Sequence, residues 1–198
     1  MSALSDLYQE MALCGDCELA RHRSRVVPGE GPEDADILFI GEAPGWYEDQ
    51  QGRPFVGPAG HFLDELLRSI GLEREDVYIA NVVKCRPPSN RDPLPSETSA
   101  CRKWLDRQIA LIRPKLIVTL GRYSLAQFFP GDSIGKVRGT ARKKEGMIYF
   151  AMYHPAAALH QQSLRQIIQQ DMLKIPSLLD KAEEVGEEEY KPQQLSMF

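Results

Sequence analysis

The sequence has few cysteines and histidines and no long apolar run. Four Cys in 198 residues are too few for the disulfide lattice of small secreted domains, and a chain of this length can bury a core without one. No uninterrupted apolar stretch approaches the roughly 20 residues needed to span a bilayer. The polar, acidic N-terminus does not read as a signal peptide. A cytoplasmic monomer with no membrane partner is therefore expected. Positive charge is also short, with 24 Lys and Arg against 28 Asp and Glu for a net charge of -4. That balance argues against a basic surface that coats nucleic acid, while leaving room for a local basic cleft. The four histidines are scattered, so no ligand set for a catalytic metal stands out. What remains is ordinary for a globular chain, 42% hydrophobic and 26% charged. It divides into one domain over residues 1–180 and an acidic tail over 181–198 that carries Glu183, Glu184, Glu187, Glu188 and Glu189.

The stretch DILFIGEAPGWYEDQQGRPFVGPAG, from Asp36 to Gly60, organises the rest. Asp36–Ile40 has the length and apolar content of a buried strand. Pro44, Pro54, Pro58 and five glycines then predict a loop without helix or sheet. Glu42, Glu48, Asp49 and Phe55 stand in that loop, three carboxylates that can orient a proton and a ring that can stack on a flat ligand.

Further along, apolar spacing predicts helices over Leu4–Leu13, His61–Ile70, Ser96–Leu111, Ser124–Phe129 and Ser163–Leu179. Strands are predicted over Asp76–Val83, Leu116–Leu120 and Met147–Tyr153. Strands alternating with helices imply an α/β fold, a three-layer α/β/α sandwich around a mostly parallel sheet of four strands. Ligands of such sheets sit beyond the carboxyl ends of the strands. Glu42, Glu48 and Phe55 after the first strand, Asn81 at the end of the second, Gly121 and Arg122 after the third and His154 after the fourth then converge. Lys136, Arg138, Arg142, Lys143 and Lys144 form the main basic cluster, read either as a solvated hairpin or as a grip on phosphates.

The converging residues suit one chemistry. An Asn amide offers both a donor and an acceptor to a nucleobase edge, and Phe55 can stack on the base. Carboxylates can orient water or stabilise positive charge on a sugar, and His154 can donate to an anion developing on the departing base. Together they can cut an N-glycosidic bond. The cysteines point to a second centre. Cys14 and Cys17 share one turn, Cys85 and Cys101 lie far along the chain, and in a reducing compartment such a set marks metal ligation or redox chemistry. Zinc and iron–sulfur clusters both accept four thiolates.

The motifs GEAPGWYEDQQGRPFVGPAG, NVVKCRPP and YHPAAAL, with cysteines before and between them, closely resemble the family 4 uracil-DNA glycosylases over roughly Cys14 to Leu179. The resemblance implies an enzyme that removes uracil from single-stranded DNA and from U:G pairs, leaving an abasic site. It places Phe55 on the flipped uracil, Asn81 at its pyrimidine edge and His154 at its O2. Glu42 and Glu48 position water and stabilise the sugar cation, Asp49 joins them at the substrate, and backbone near Glu42 and Ala43 helps form the pocket. Gly121, Arg122 and Arg138 are expected at the DNA, and a loop carrying Ala156, Ala157, Ala158 and Leu159 is expected to press into the duplex. Cys14, Cys17, Cys85 and Cys101 match the ligands of a 4Fe-4S cluster. The stretch between Cys85 and Cys101 has no histidine of the kind by which a related branch traps DNA covalently, so ordinary turnover is expected.

The chain closes on Gln194, Leu195, Ser196, Met197 and Phe198. This pentapeptide is similar to those by which bacterial proteins dock on the replication sliding clamp, with Leu195, Met197 and Phe198 as anchors. Two rival readings are a noncatalytic iron–sulfur module that binds nucleic acid and a zinc hydrolase acting on nucleotides. The first has no use for Glu42, Glu48, Asn81 and His154 together, and the second lacks a catalytic metal site.

Overall fold

The structure is a computed structural model that describes residues 2–184. Five strands, β1 (Ile37–Gly41), β2 (Tyr78–Asn81), β3 (Leu116–Leu120), β4 (Ala141–Lys144) and β5 (Met147–Met152), form one sheet in the order β2-β1-β3-β5-β4. All neighbours pair in parallel except β4, which runs antiparallel to β5 at the edge.

Ten α-helices among the described residues surround it: α1 (Ala3–Ala12), α2 (Leu19–His22), α3 (Trp46–Gln51), α4 (Pro58–Ser69), α5 (Pro95–Ile112), α6 (Arg122–Ala126), α7 (Ile134–Val137), α8 (Pro155–His160), α9 (Ser163–Met172) and α10 (Ile175–Glu184). Side chains alternate across the sheet with period two. Leu38, Ile40, Tyr78, Ala80, Ile117 and Tyr149 face a core shared with α1 and α5. Ile37, Phe39, Ile79, Val118, Phe150 and Met152 face a second core filled by Phe62, Leu63, Leu66 and Leu67 of α4 and by Ile168 and Met172 of α9. Two cores, one on each face, make the three layers. The four α4 side chains are at most 2% exposed, and at about 1.5–3 kcal/mol for each buried side chain they alone fix that helix on the sheet.

The fifth strand corrects the expectation of four. Ala141–Lys144 has no apolar side chain beyond Ala141, so it carries no buried-strand signal. It forms because Glu145 and Gly146 both take positive φ (53° and 77°), the backbone of a two-residue hairpin turn. Lysines on this edge discourage further strand addition. Its basic residues are engaged within the protein: Arg142 pairs with Asp132 at 2.5 Å and Lys144 approaches Glu145 at 4.0 Å. The hairpin forms, with Arg142, Lys143 and Lys144 on its edge strand.

Other boundaries shift for local reasons. The loop after β1 contains α3, because the Glu48 side chain caps the Gly45 N–H (3.1 Å) and Gly52 closes the helix in the left-handed region (φ 72°). The predicted helix after β3 starts earlier, at Arg122. The segment after β5 is the helix α8 and not a loop: Pro155 occupies its first position, alanines favour it, and His154 is its N-cap. The long final helix is two, α9 and α10, the second with Pro176 in its first turn. It runs to Glu184, past the expected domain end at 180, and the clamp-like residues 194–198 lie outside the described residues. No helix among the described residues is long and apolar enough to cross a membrane.

Candidate active site

At the carboxyl edge of the sheet, parallel register sets Gly41 of β1 beside Asn81 of β2. The same edge releases the chain into Gly121 after β3 and His154 after β5. A cleft of about 320 Å³ opens there, lined by Glu42, Ala43, Glu48, Phe55, Asn81 and His154, with Trp46, Tyr47, Arg91, Ala156 and Leu159 also on its wall.

Glu48 builds the first wall. Its carboxylate accepts from the backbone N–H groups of Gly45 (3.1 Å), Val56 (2.9 Å) and Gly57 (2.9 Å), so one side chain ties α3 to the chain that follows Phe55. Phe55 itself takes φ 51°, a left-handed backbone costly for a residue with a Cβ. Two features hold it there. Arg74 donates to its carbonyl oxygen at 2.9 Å, bonds the Pro54 carbonyl and pairs with Asp64 at 3.1 Å. Gly60 leaves the space its carbonyl needs, since a Cβ at Gly60 would lie 1.8 Å from that oxygen. A Cβ on Gly41 would likewise meet Asn81 Oδ1 at 2.4 Å and the Phe55 ring at 2.6 Å.

Asn81 is 2% exposed, and its Oδ1 is buried with no hydrogen-bond partner. A buried acceptor left bare costs about 1–3 kcal/mol, which a ligand N–H facing it would offset. Its main-chain carbonyl accepts from Lys84 Nζ at 2.8 Å.

His154 is set by its place at the head of α8. The Ala156 N–H donates to its Nδ1 at 3.1 Å, so in the neutral ring the proton resides on Nε2. The ring stacks near Phe55, with centroids 5.4 Å apart and planes at 22°. The residue keeps partial exposure overall, but desolvation lowers its imidazole to about 4, against the opposing pull of the Glu48 charge. It is therefore neutral at physiological pH, a hydrogen-bond donor and not a cation. Glu42 is shifted the other way. Burial pushes its carboxyl up to about 7, the Asp92 carboxylate adds to the rise and the Arg122 guanidinium opposes it. A carboxyl poised there can exchange a proton at neutral pH.

Several expected residues are placed elsewhere. Asp49 is 1% exposed and turned away from the cleft, accepting from the Ser24 N–H at 2.9 Å, so it anchors α3 and does not reach the substrate wall. Arg138 holds the buried Asp171 through contacts of 2.8 and 2.9 Å. Arg122 pairs with Asp92 at 2.5 Å beside Glu42, and Gly121, at φ 90°, brings its backbone against the His154 Cβ. Of the α8 residues, Ala156 and Leu159 line the cleft. Ala158 is buried in the α4 core and Ala157 is not on the cleft wall. Residues not foreseen are Trp46, Tyr47 and Arg91 on the wall and Arg74 behind it. Arg91 is fixed by a two-pronged contact with Glu97 at 2.7 and 2.9 Å. Only Arg74 could not be suspected from its neighbours in sequence, because its partners lie ten and more residues away.

The cysteines meet at a second place. Cys14, Cys17, Cys85 and Cys101 line one cavity between the chain after α1, the loop after β2 and α5. Three of the sulfurs receive N–H donors: Cys14 from Trp104 Nε1 (3.4 Å), Cys85 from Arg23 (3.2 Å) and Cys101 from the Lys84 amide (3.3 Å). No three His, Cys, Asp or Glu among the described residues are grouped closely enough for one metal ion. Four thiols from three parts of the chain around one cavity are a donor set that a zinc ion or an iron–sulfur cluster takes.

Comparison with known proteins agrees with this geometry. The Uracil DNA glycosylase superfamily matches residues 28–174. A type-4 uracil-DNA glycosylase of Sulfurisphaera tokodaii is 49% identical over 90% of this chain and 86% of its own. Another from Archaeoglobus fulgidus is 46% identical over 91% and 96%, and one from Thermotoga maritima is 48% identical over 85% and 90%. The chain belongs to the uracil DNA glycosylase superfamily, in its type-4 branch.

Proposed function

We propose that the cleft hydrolyses the N-glycosidic bond of deoxyuridine in DNA, releasing uracil and leaving an abasic site for base excision repair. The observation that carries this is the bare, buried Asn81 Oδ1 in the same cleft as a neutral, Nε2-protonated His154. Uracil presents an N3–H donor flanked by carbonyl acceptors, and these two side chains complement that edge. Cytosine at N3 offers an acceptor where Oδ1 needs a donor, so the same pair rejects it.

Extrusion from the stack costs a few kcal/mol and is cheapest at mismatches and in single strands, so U opposite G and unpaired U are the expected substrates. Phe55 covers one face of the base. As the C1′–N1 bond breaks, its electron pair leaves with the base and spreads onto O2, where the His154 Nε2–H donates to it. Glu42 faces the sugar cation and takes the proton of the water that adds to C1′. Glu48 acts through the loop it ties together. Leu159, 48% exposed, is the sizeable apolar side chain of α8 on the cleft wall and can enter the space the base leaves.

Cys14, Cys17, Cys85 and Cys101 are proposed to hold a 4Fe-4S cluster, which when bound joins the chain after α1 to β2 and α5. Iron content and visible absorbance in purified protein test this, and stoichiometric zinc in a colourless protein contradicts it. For the tail, residues 194–198 are proposed to dock on a sliding clamp. Their deletion abolishes clamp binding without slowing catalysis on free oligonucleotides, and equal affinity after deletion refutes the idea. The activity itself is tested by measuring free uracil released from a single-stranded oligonucleotide and from a U:G duplex.

A further inference from the structure

Among the described residues, the exposed large hydrophobic side chains include only two aromatics, Trp46 at 51% and Tyr47 at 49%. The other tryptophan, Trp104, is 5% exposed. The two rings are adjacent in sequence, lie 5.1 Å apart at 86°, and both stand on the wall of the cleft. Their backbone is not loose. They are the first residues of α3, anchored by the Glu48 cap on Gly45. Tyr47 also packs so near Gly57 that a Cβ there would come within 3.1 Å of its ring. Two aromatic side chains, in contact with each other on a capped helix end, thus stand exposed on the wall of a base-sized cleft, where hydrophobic area left exposed forfeits about 25 cal/mol per Å².

We propose that Trp46, braced edge to face by Tyr47, is a stacking platform for the nucleobase next to the extruded uracil in an unpaired strand. This rests on the reading of the cleft as a uracil-releasing site. The polymer supplies the argument for the occupant. An extruded uracil stays bonded to its neighbours, so an adjacent nucleotide must lie at the mouth whenever the cleft is filled. Trp46 and Tyr47 are the exposed aromatic faces there. A base in an intact duplex has its faces covered by its own stack, whereas a base in a single strand has a face to give. Stacking on an aromatic ring is indifferent to base identity, so the platform favours single-stranded substrate without reading sequence around the uracil.

The test uses single-stranded oligonucleotides with one uracil, in which the neighbour on the 5′ or the 3′ side is either a normal adenine nucleotide or one lacking its base. The wild-type protein is expected to lose roughly tenfold in kcat/KM when the base on one side is removed. Trp46→Ala should lose about the same factor on the normal substrate and lose nothing more when that neighbouring base is absent, while Trp46→Phe stays near wild type. Equal rates for the wild type on all three oligonucleotides would overturn the proposal. So would a Trp46→Ala defect that is the same size with and without the neighbouring base, since that marks a merely structural role. Absence of uracil release by the wild type from the normal oligonucleotide would instead contradict the reading of the cleft itself.

Discussion

Arg74 donates to the main-chain carbonyl of Phe55 at 2.9 Å, and so fixes from behind the ring that faces the cleft. The Arg74 side chain is only 19% exposed and has carboxylate partners in Asp64 and Glu30. Arg74→Ala should therefore lower kcat/KM by roughly tenfold or more through misplacement of Phe55. If it acts through that ring, the double variant with Phe55→Ala is no slower than Phe55→Ala alone. Multiplying defects would show that Arg74 serves only general stability.

The two titrating groups of the cleft predict a pH profile. Glu42, raised to about 7, must be ionised to accept a proton, so kcat/KM rises with pH and levels off above about 7. His154, lowered to about 4, is neutral across that range and adds no break near 6.5. The break should vanish in Glu42→Gln, which will be slow at every pH. A break that persists in this variant assigns it to another group.

Stability should separate the two glutamates. The raised Glu42 carboxyl favours the fold while protonated, a contribution present below about 4.5 and lost as pH rises to 7. Glu42→Gln should then stabilise the protein at pH 8 by on the order of 1 kcal/mol, allowing for partial contact with solvent, or about 2–4 °C in Tm. It should give no gain at pH 4. Glu48→Ala strips three backbone N–H groups of their acceptor and should cost about 2–3 kcal/mol, a fall of roughly 4–12 °C. Thermal melts of the two variants at both pH values check this.

Replacing any of Cys14, Cys17, Cys85 or Cys101 by Ala should reduce the visible absorbance and lower Tm together, because these residues come from three separated parts of the chain around one cavity. Full absorbance in Cys101→Ala would remove α5 from the ligand set.

Much of this was legible in the residues. Short continuous apolar runs marked the four buried strands, and the strand-end rule alone brings Glu42, Asn81 and His154 to one edge. What stayed hidden depended on tertiary partners or on backbone geometry. β4 lacks an apolar face and exists through its turn. α3 forms among prolines and glycines because Glu48 caps it. Arg138 reads as a free cation, but the buried Asp171 holds it, and Asp49 reads as a substrate contact, but its carboxylate accepts from the backbone N–H groups of Ser24 and Arg25. Charge type is written in a sequence, but the partner that consumes the charge is not.

The most direct test of the account is single-turnover uracil release from a U:G duplex by the wild type, Asn81→Ala and His154→Ala, each with its visible absorbance recorded. The account predicts rapid release by the wild type and losses of about 100-fold or more in both variants with absorbance unchanged. Near-normal release by either variant, or none by the absorbing wild type, would contradict it.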